Sequence, residues 1–243
     1  MSIKVKNISY KISRKSILND ITFNISPSEL LTILGPNGSG KSTLINLIAG
    51  DIQTNSGEII YGNKELNNIS IKQRAKIRSV MSNAEEIPYD YKVQEIIEMG
   101  WIEEMKRDPN EFISYLNSVS YECEIKKLLN RNFNSLSSGE KLRVNLARTL
   151  IQIYNNNIGD VYCFLDEPTA NLDLFYSNYF MKLIKRKSIE GIGVIMVLHD
   201  MNLAYQYSDK ILLMNEGKLI AYGKPDYVMT EKNLQETYNM PIS

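Results

Sequence analysis

Two cysteines, one histidine and one tryptophan in 243 residues leave several common chemistries without material. Cys123 and Cys163 are too few and too far apart for a disulfide framework or a zinc site, and read as ordinary thiols. An excess of one charge is also lacking: Lys plus Arg and Asp plus Glu each total 28. Bulk positive charge is therefore no means of gripping a polyanion, and no nucleic-acid partner is expected. Long apolar runs are missing too. The best one, Ile192 to Leu198, is strand-length, far short of the roughly 20 residues a membrane-spanning helix needs. Met1 to Ser9 alternates Lys with Ile and Val and has no signal-peptide apolar block, so a cytosolic, soluble chain is expected. There is no internal repeat and no long heptad array; Asn155-Asn156-Asn157 reads as a surface loop. What remains is ordinary globular material, 43% hydrophobic and 23% charged, enough for one α/β core with a small lobe.

Along the chain, Ile3, Val5 and Ile8 are spaced as a strand, and Ile17 to Ile25 reads as a second. Leu30-Leu31-Thr32-Ile33-Leu34 is a compact apolar run, the pattern of a strand buried on both faces. Lys41 to Ala49 is helical, with Leu44, Leu47 and Ile48 on one face. Further strands are expected at Gly57 to Tyr61, Ile77 to Met81, Val161 to Leu165 and Gly193 to Leu198. Val93 to Asn134 is more polar and helical, an inserted lobe, and Leu142, Leu146 and Leu150 give a helix after Gly139. Ile211 to Met214 and Lys218 to Ala221 flank Asn215-Glu216-Gly217 as a hairpin, and Asp226 to Tyr238 is expected to be helical.

The sharpest signal is Gly35-Pro36-Asn37-Gly38-Ser39-Gly40-Lys41-Ser42, which fits G-x-x-x-x-G-K-[ST] at every fixed position. Its setting between a buried strand and an amphipathic helix is the one this loop requires. Glycines let successive N–H groups converge on a phosphate, and the helix N-terminus adds its positive end. Lys41 would reach the β- and γ-phosphates of a nucleotide, and the Ser42 hydroxyl would hold Mg²⁺. A second apolar strand, Val161 to Leu165, ends in Asp166-Glu167. At the carboxyl edge of a parallel sheet these acids would lie in the ligand crevice, Asp166 on the metal and Glu167 as general base toward water. Leu136-Ser137-Ser138-Gly139-Glu140 also has capping-box spacing and, taken alone, would be no more than a well-capped helix.

Phosphate loop, Leu-Ser-Ser-Gly-Glu, Asp-Glu strand and His199 after the next strand follow one another in the order and spacing of ATP-binding-cassette (ABC) ATPases, and the chain resembles that family from about Ile3 to Tyr238. The resemblance implies a P-loop NTPase α/β core with a mostly parallel sheet, an N-terminal antiparallel β subdomain and an inserted α-helical subdomain at about 93–135, all within one domain of residues 1–243. It implies ATP and Mg²⁺ as cofactors. Tyr10 resembles the aromatic that stacks on adenine, with residues 35–43, ending at Thr43, cradling the phosphates. Ser137 and Gly139 resemble the signature residues that contact nucleotide held by a second copy. Asp173 resembles the residue that communicates across that homodimer, and His199 the switch histidine at the γ-phosphate. Two departures stand out: Ser138 replaces a usual glycine, and Asn83 stands where a Gln normally assists Mg²⁺. The shorter Asn83 stem would weaken that contact or leave it to a bridging water.

Val197 to Ala204, Tyr207 to Met214, Glu95 to Gly100 and Gly223 to Met229 look like the ATPases of importers for iron-siderophores, haem and vitamin B12. The connection Gln152 to Asp160, with Leu172 to Tyr176, looks most like the haem group. Such a subunit would sit on the cytoplasmic face of the membrane, bound to a multi-span permease dimer fed by an extracytoplasmic substrate-binding protein. Siderophore or B12 uptake is the nearby alternative, and a soluble ATPase of cofactor assembly is the alternative of another class. Intact Lys41, Asp166, Glu167 and His199 argue against a module that binds nucleotide without hydrolysing it.

Overall fold

A computed structural model describes residues 1–82, 89–102, 109–154 and 160–238. The expectation for Asn83 therefore lies outside the described residues, as does most of the Asn-rich connection.

The described residues form two sheets. The larger has strand order β10-β9-β3-β8-β7-β6. Its parallel members are β6 (Arg78–Met81), β7 (Tyr162–Asp166), β8 (Gly193–Val197), β3 (Leu30–Leu34) and β9 (Lys210–Asn215), with β10 (Lys218–Gly223) antiparallel at one edge. The smaller sheet, order β2-β1-β4-β5, is antiparallel and joins β1 (Ile3–Ile12), β2 (Lys15–Ile25), β4 (Ser56–Tyr61) and β5 (Lys64–Glu65). It thus draws half its strands from beyond the phosphate loop and is N-terminal only in part.

Helix α1 (Lys41–Ala49) lies between the sheets. Leu44, Ile45, Leu47 and Ile48 are fully buried against Ile3, Val5 and Ile8 on one side and Leu31 and Ile33 on the other. The central strands alternate between two cores. Leu31 and Ile33 face the α1 layer, while Leu30 and Leu34 face the opposite layer of α5 (Ser138–Tyr154) and α6 (Leu174–Ile189). Tyr162 and Phe164 against Cys163 and Leu165, and Ile195 and Val197 against Val194 and Met196, split the same way. Burial on both faces at period two explains why these strands read as continuous apolar runs.

Between β6 and β7 the described residues form α3 (Val93–Glu98), α4 (Pro109–Glu122), short 3₁₀ turns at Lys126–Leu128 and Phe133–Ser135, then α5. Two helices differ from the sequence reading. Residues Ile71–Ile77 form α2, started by a Ser70/Gln73 capping box, so Ile77 closes a helix and the strand begins at Arg78. Helix α6 has no counterpart in the sequence reading: its buried apolar stripe, Phe180, Met181, Leu183 and Ile184, is short and is flanked by buried Ser177, Lys187 and Ser188, although Asp173 caps it. The tail divides into α8 (Pro225–Val228) and α9 (Glu231–Tyr238), Asn233 Nδ2 donating to the Val228 carbonyl at the break. Helix α7 (Met201–Tyr207) follows the histidine strand, capped by Asp200.

The β9–β10 hairpin turns through Glu216 and Gly217, φ 46° and 74°, the conformation of a two-residue primed turn. The turn is wedged against the phosphate loop. Gly217 N–H donates to Ser39 O at 3.0 Å, and its carbonyl accepts from Asn19 N–H at 2.8 Å. A Cβ at Gly217 would stand 2.2 Å from the Ile17 carbonyl. Gly217→Ala is therefore expected to cost about 1–3 kcal/mol in chemical denaturation and to loosen nucleotide binding. An unchanged denaturation midpoint together with native nucleotide affinity would show that this wedge is unimportant.

Candidate active site

Register brings the site together. Ile33 pairs with Val197 across β3 and β8, and Asp166 pairs with Val197 across β7 and β8. Because all three strands run the same way, the chain leaves each at one edge: into Gly35 after β3, Glu167 after β7 and His199 after β8. Leu198 N–H donates to the Ile33 carbonyl and ties the last two residues of that exit down.

The loop that follows β3 is tightly seated. A Cβ on Gly35 would meet the Met214 carbonyl at 2.2 Å, so only glycine lets the chain pass there. Gly40 is left-handed at φ 101° and starts α1, whose Leu44 N–H bonds to the Gly40 carbonyl. Lys41 is 6% exposed, and its Nζ donates to the carbonyls of Gly35 at 2.8 Å and Pro36 at 2.9 Å. Burial lowers its pKa from the usual lysine value; the Glu167 and Asp166 carboxylates oppose that shift. The loop thus keeps an ammonium within reach of the space an anion would take, held meanwhile by its own backbone.

Asp166 behaves in the opposite sense. Burial raises its carboxyl above the ordinary aspartate value, a hydrogen bond with the Ser42 hydroxyl pulls it back, and Glu167 pushes it up again. Asp166 Oδ1 is buried and has no hydrogen-bond partner, while the partnered Ser42 hydroxyl lies beside it. An orphaned carboxylate oxygen next to a hydroxyl is a hard-oxygen pair, the donor set that suits Mg²⁺. These residues fit the ion. Ser39 Oγ is a second buried, unpartnered oxygen within the loop.

Glu167 takes φ 54°, uncommon for a residue with a side chain and a source of local strain. Its Oε1 lies 2.7 Å from His199 Nε2. A cavity of about 230 Å³ opens beside both, enough for water. Sequence reasoning placed Lys41, Ser42, Asp166, Glu167 and His199 in one site, and the chain brings them together.

The remaining candidates fall elsewhere. Tyr10 is half-buried and cross-strand from Leu18, which abuts Gly40, so it stands at the end of the small sheet nearest the loop. Ser137 and Gly139 lie at the exposed start of α5. The capping box is present there: Glu140 N–H donates to Ser137 Oγ at 3.3 Å, and Ser137 N–H to Glu140 Oε2 at 2.9 Å. That bond holds the Glu140 carboxyl below its ordinary range. Ser138 is not among the residues with positive φ, so the departure from glycine leaves the turn intact. Asp173 is exposed and accepts from Tyr176 N–H at 2.8 Å, capping α6. Sequence reasoning missed the Gly217 wedge and Tyr238, whose half-buried phenol, raised in pKa by partial burial, receives a hydrogen bond from the Gly35 backbone. The Asn-Glu-Gly turn was visible, but its target was not.

Because burial raises Asp166, the unliganded fold loses stability from this group as pH climbs from the unfolded value of 3.8 through the raised folded value. Asp166→Asn should therefore melt no lower than the native chain at neutral pH, and its melting temperature should depend less on pH, while Mg²⁺-dependent hydrolysis disappears. A lower melting temperature in the metal-free variant would contradict this account.

Comparison with known proteins agrees with the geometry. The family model described as ABC transporter matches residues 18–170. A hemin import ATP-binding protein of Hahella chejuensis is 36% identical over 228 residues, 93% of this chain and 88% of that protein. One of Escherichia coli O157:H7 is 36% identical over 245 residues, 99% of this chain and 93% of its own length. Among solved structures, cbiO1 of Clostridium perfringens, described as part of an ABC transporter complex, is 28% identical with a TM-score of 0.78, covering 96% of this chain and 92% of that one. An inward-facing putative metal-chelate type ABC transporter shares the fold at a TM-score of 0.80 and 22% identity, covering 99% of this chain and 90% of that one. Among the described residues no helix is long and apolar enough to cross a membrane. With its phosphate loop, carboxylate pair and histidine on one strand edge, the chain belongs to the ABC transporter family of ATPases.

Proposed function

We propose that this chain is the ATP-hydrolysing subunit of an importer for haem or a related iron chelate. The observation that carries the reading is the meeting of a buried lysine, the Ser42–Asp166 pair and the Glu167–His199 pair at one strand edge. The alignment with hemin import ATP-binding proteins over nearly the whole chain supports the cargo class. The domain spans 1–243, with 93–135 as the inserted helical subdomain.

In this reading the triphosphate lies in loop 35–43 and its adenine on Tyr10. Lys41 leaves the Gly35 and Pro36 carbonyls for the β- and γ-phosphates. Mg²⁺, when bound by Ser42 and Asp166, offsets charge on the phosphate oxygens. Asn83 would reach toward that ion on a short stem. Glu167 takes a proton from the attacking water, whose oxygen bonds to the γ-phosphorus as the bond to the β,γ-bridging oxygen breaks. His199 holds the Glu167 carboxylate and faces the γ-phosphate. Ser137 and Gly139 of a second copy close the site, since an exposed helix start with converging N–H groups attracts phosphate. Asp173 lies at the seam between copies. Closure of the homodimer on ATP, and reopening after hydrolysis, moves a multi-span permease docked on the helical lobe and the segment around residues 83–92. The assembly sits on the cytoplasmic face of the membrane, and an extracytoplasmic substrate-binding protein delivers cargo to the permease.

Glu167→Gln should retain ATP, accumulate dimer on size-exclusion chromatography and slow turnover about 10²–10⁴-fold. Native turnover in this variant would remove Glu167 as the base. Lys41→Ala should lose nucleotide binding outright. Affinity purification from membranes should recover a multi-span permease; a soluble assembly complex instead would favour the cofactor-assembly reading.

A further inference from the structure

A cavity of about 590 Å³ lies where the helical insertion meets the core, away from the phosphate loop. It falls within the range of small-molecule sites, roughly 300–1,000 Å³. We propose that it binds a flat aromatic anion: a ring system carrying a carboxylate or a phosphate.

The walls have the chemistry for both halves of such a molecule. Tyr176 and Tyr179, from α6, form the core side, and Tyr121, at the end of α4, stands across the cavity with 78% of its surface exposed. The core-side rings are fixed. Arg143 of α5 lies over the Tyr176 ring at 4.7 Å, and the Tyr179 hydroxyl donates to the Glu122 carbonyl at 3.0 Å. Arg143 is itself held by the Glu124 carbonyl at 3.0 Å. Positioned aromatic faces favour a flat ring between them.

Charge selects the other half. Lys126, Lys127 and Arg143 line the cavity, and among its described lining residues Glu124 alone carries a carboxylate. In a chain with no net charge, that local excess attracts an anion, and a guanidinium with two ammonium groups suits carboxylate or phosphate oxygens. The independent sign of a ligand is Ser120. It is fully buried, lines the same cavity, and its hydroxyl has no hydrogen-bond partner. A buried orphan hydroxyl is costly to leave unmade, and an acceptor on a bound molecule would satisfy it. Because α4 and α6 supply opposite walls, an occupant would also tie the helical insertion to the core.

The shared chemistry has two sources, a nucleoside monophosphate or a porphyrin dicarboxylate. The test is calorimetric titration of the full chain with AMP and, separately, with protoporphyrin IX, the phosphate site being saturated with ADP and Mg²⁺. At least one probe should bind with one-to-one stoichiometry, and which one binds identifies the source. Reversing charge in Lys126→Glu/Lys127→Glu should weaken that probe about tenfold. Ser120→Ala should weaken it as well, while the unliganded chain melts no lower than the native one. That split separates a ligand contact from a packing role. Binding of neither probe, or binding indifferent to both variants, overturns the proposal.

Discussion

Parallel register between β3, β8 and β7 is the constraint on which the site depends. Paired residues Ile33–Val197 and Val197–Asp166 set three strand exits at one level, and the phosphate loop, Glu167 and His199 leave from them. A slip of one residue in any of these strands would move its exit by about 3.3 Å and exchange its two faces between cores. The double-sided burial of Leu30 to Leu34 therefore does more than stabilise the sheet. With every side chain committed to one core or the other, the register has no alternative, and catalytic geometry is inherited from packing.

The site that results is electrostatically uncomfortable without its ligands. Lys41 and Asp166 are both shifted toward their neutral forms by burial, and each is opposed mainly by the other site groups. Carbonyls of the loop hold the ammonium, and one oxygen of Asp166 has no partner. Groups arranged this way cost stability in the free chain and are satisfied when a phosphate and a cation enter together. The wedge of Gly217 under Ser39, with the Met214 carbonyl against Gly35, stops the loop from relaxing away from that arrangement.

The helical insertion shares the apolar core through Val119, Cys123, Ile125 and Leu128, and a polar junction adds to that attachment. Lys187 of α6, 7% exposed, bonds to the Tyr154 hydroxyl at 2.8 Å and to Glu122 and Glu190 at 3.0 Å each. The Tyr154 hydroxyl also bonds to Glu122, and Arg186 reaches Glu122 at 2.7 Å. One carboxylate at the end of α4 is thus shared by α5 and α6.

The sequence by itself determined the chemistry. The glycine-rich loop, the acids ending an apolar run and the lone His199 are local patterns whose spacing reflects backbone geometry, so they can be read one residue at a time. The continuous apolar runs likewise carried the central strands, because burial on two faces removes the polar residues that would blur them. What only the tertiary structure decided are contacts between residues distant in the chain. Helix α6 was hidden because buried Ser177, Lys187 and Ser188 bound its short apolar stripe, and the small sheet completes itself with β4 and β5 from beyond the loop. Gly217 was legible as a turn but not as the support of Ser39. Register and packing are sums over many weak contacts, and no single stretch of sequence contains both halves of any of them.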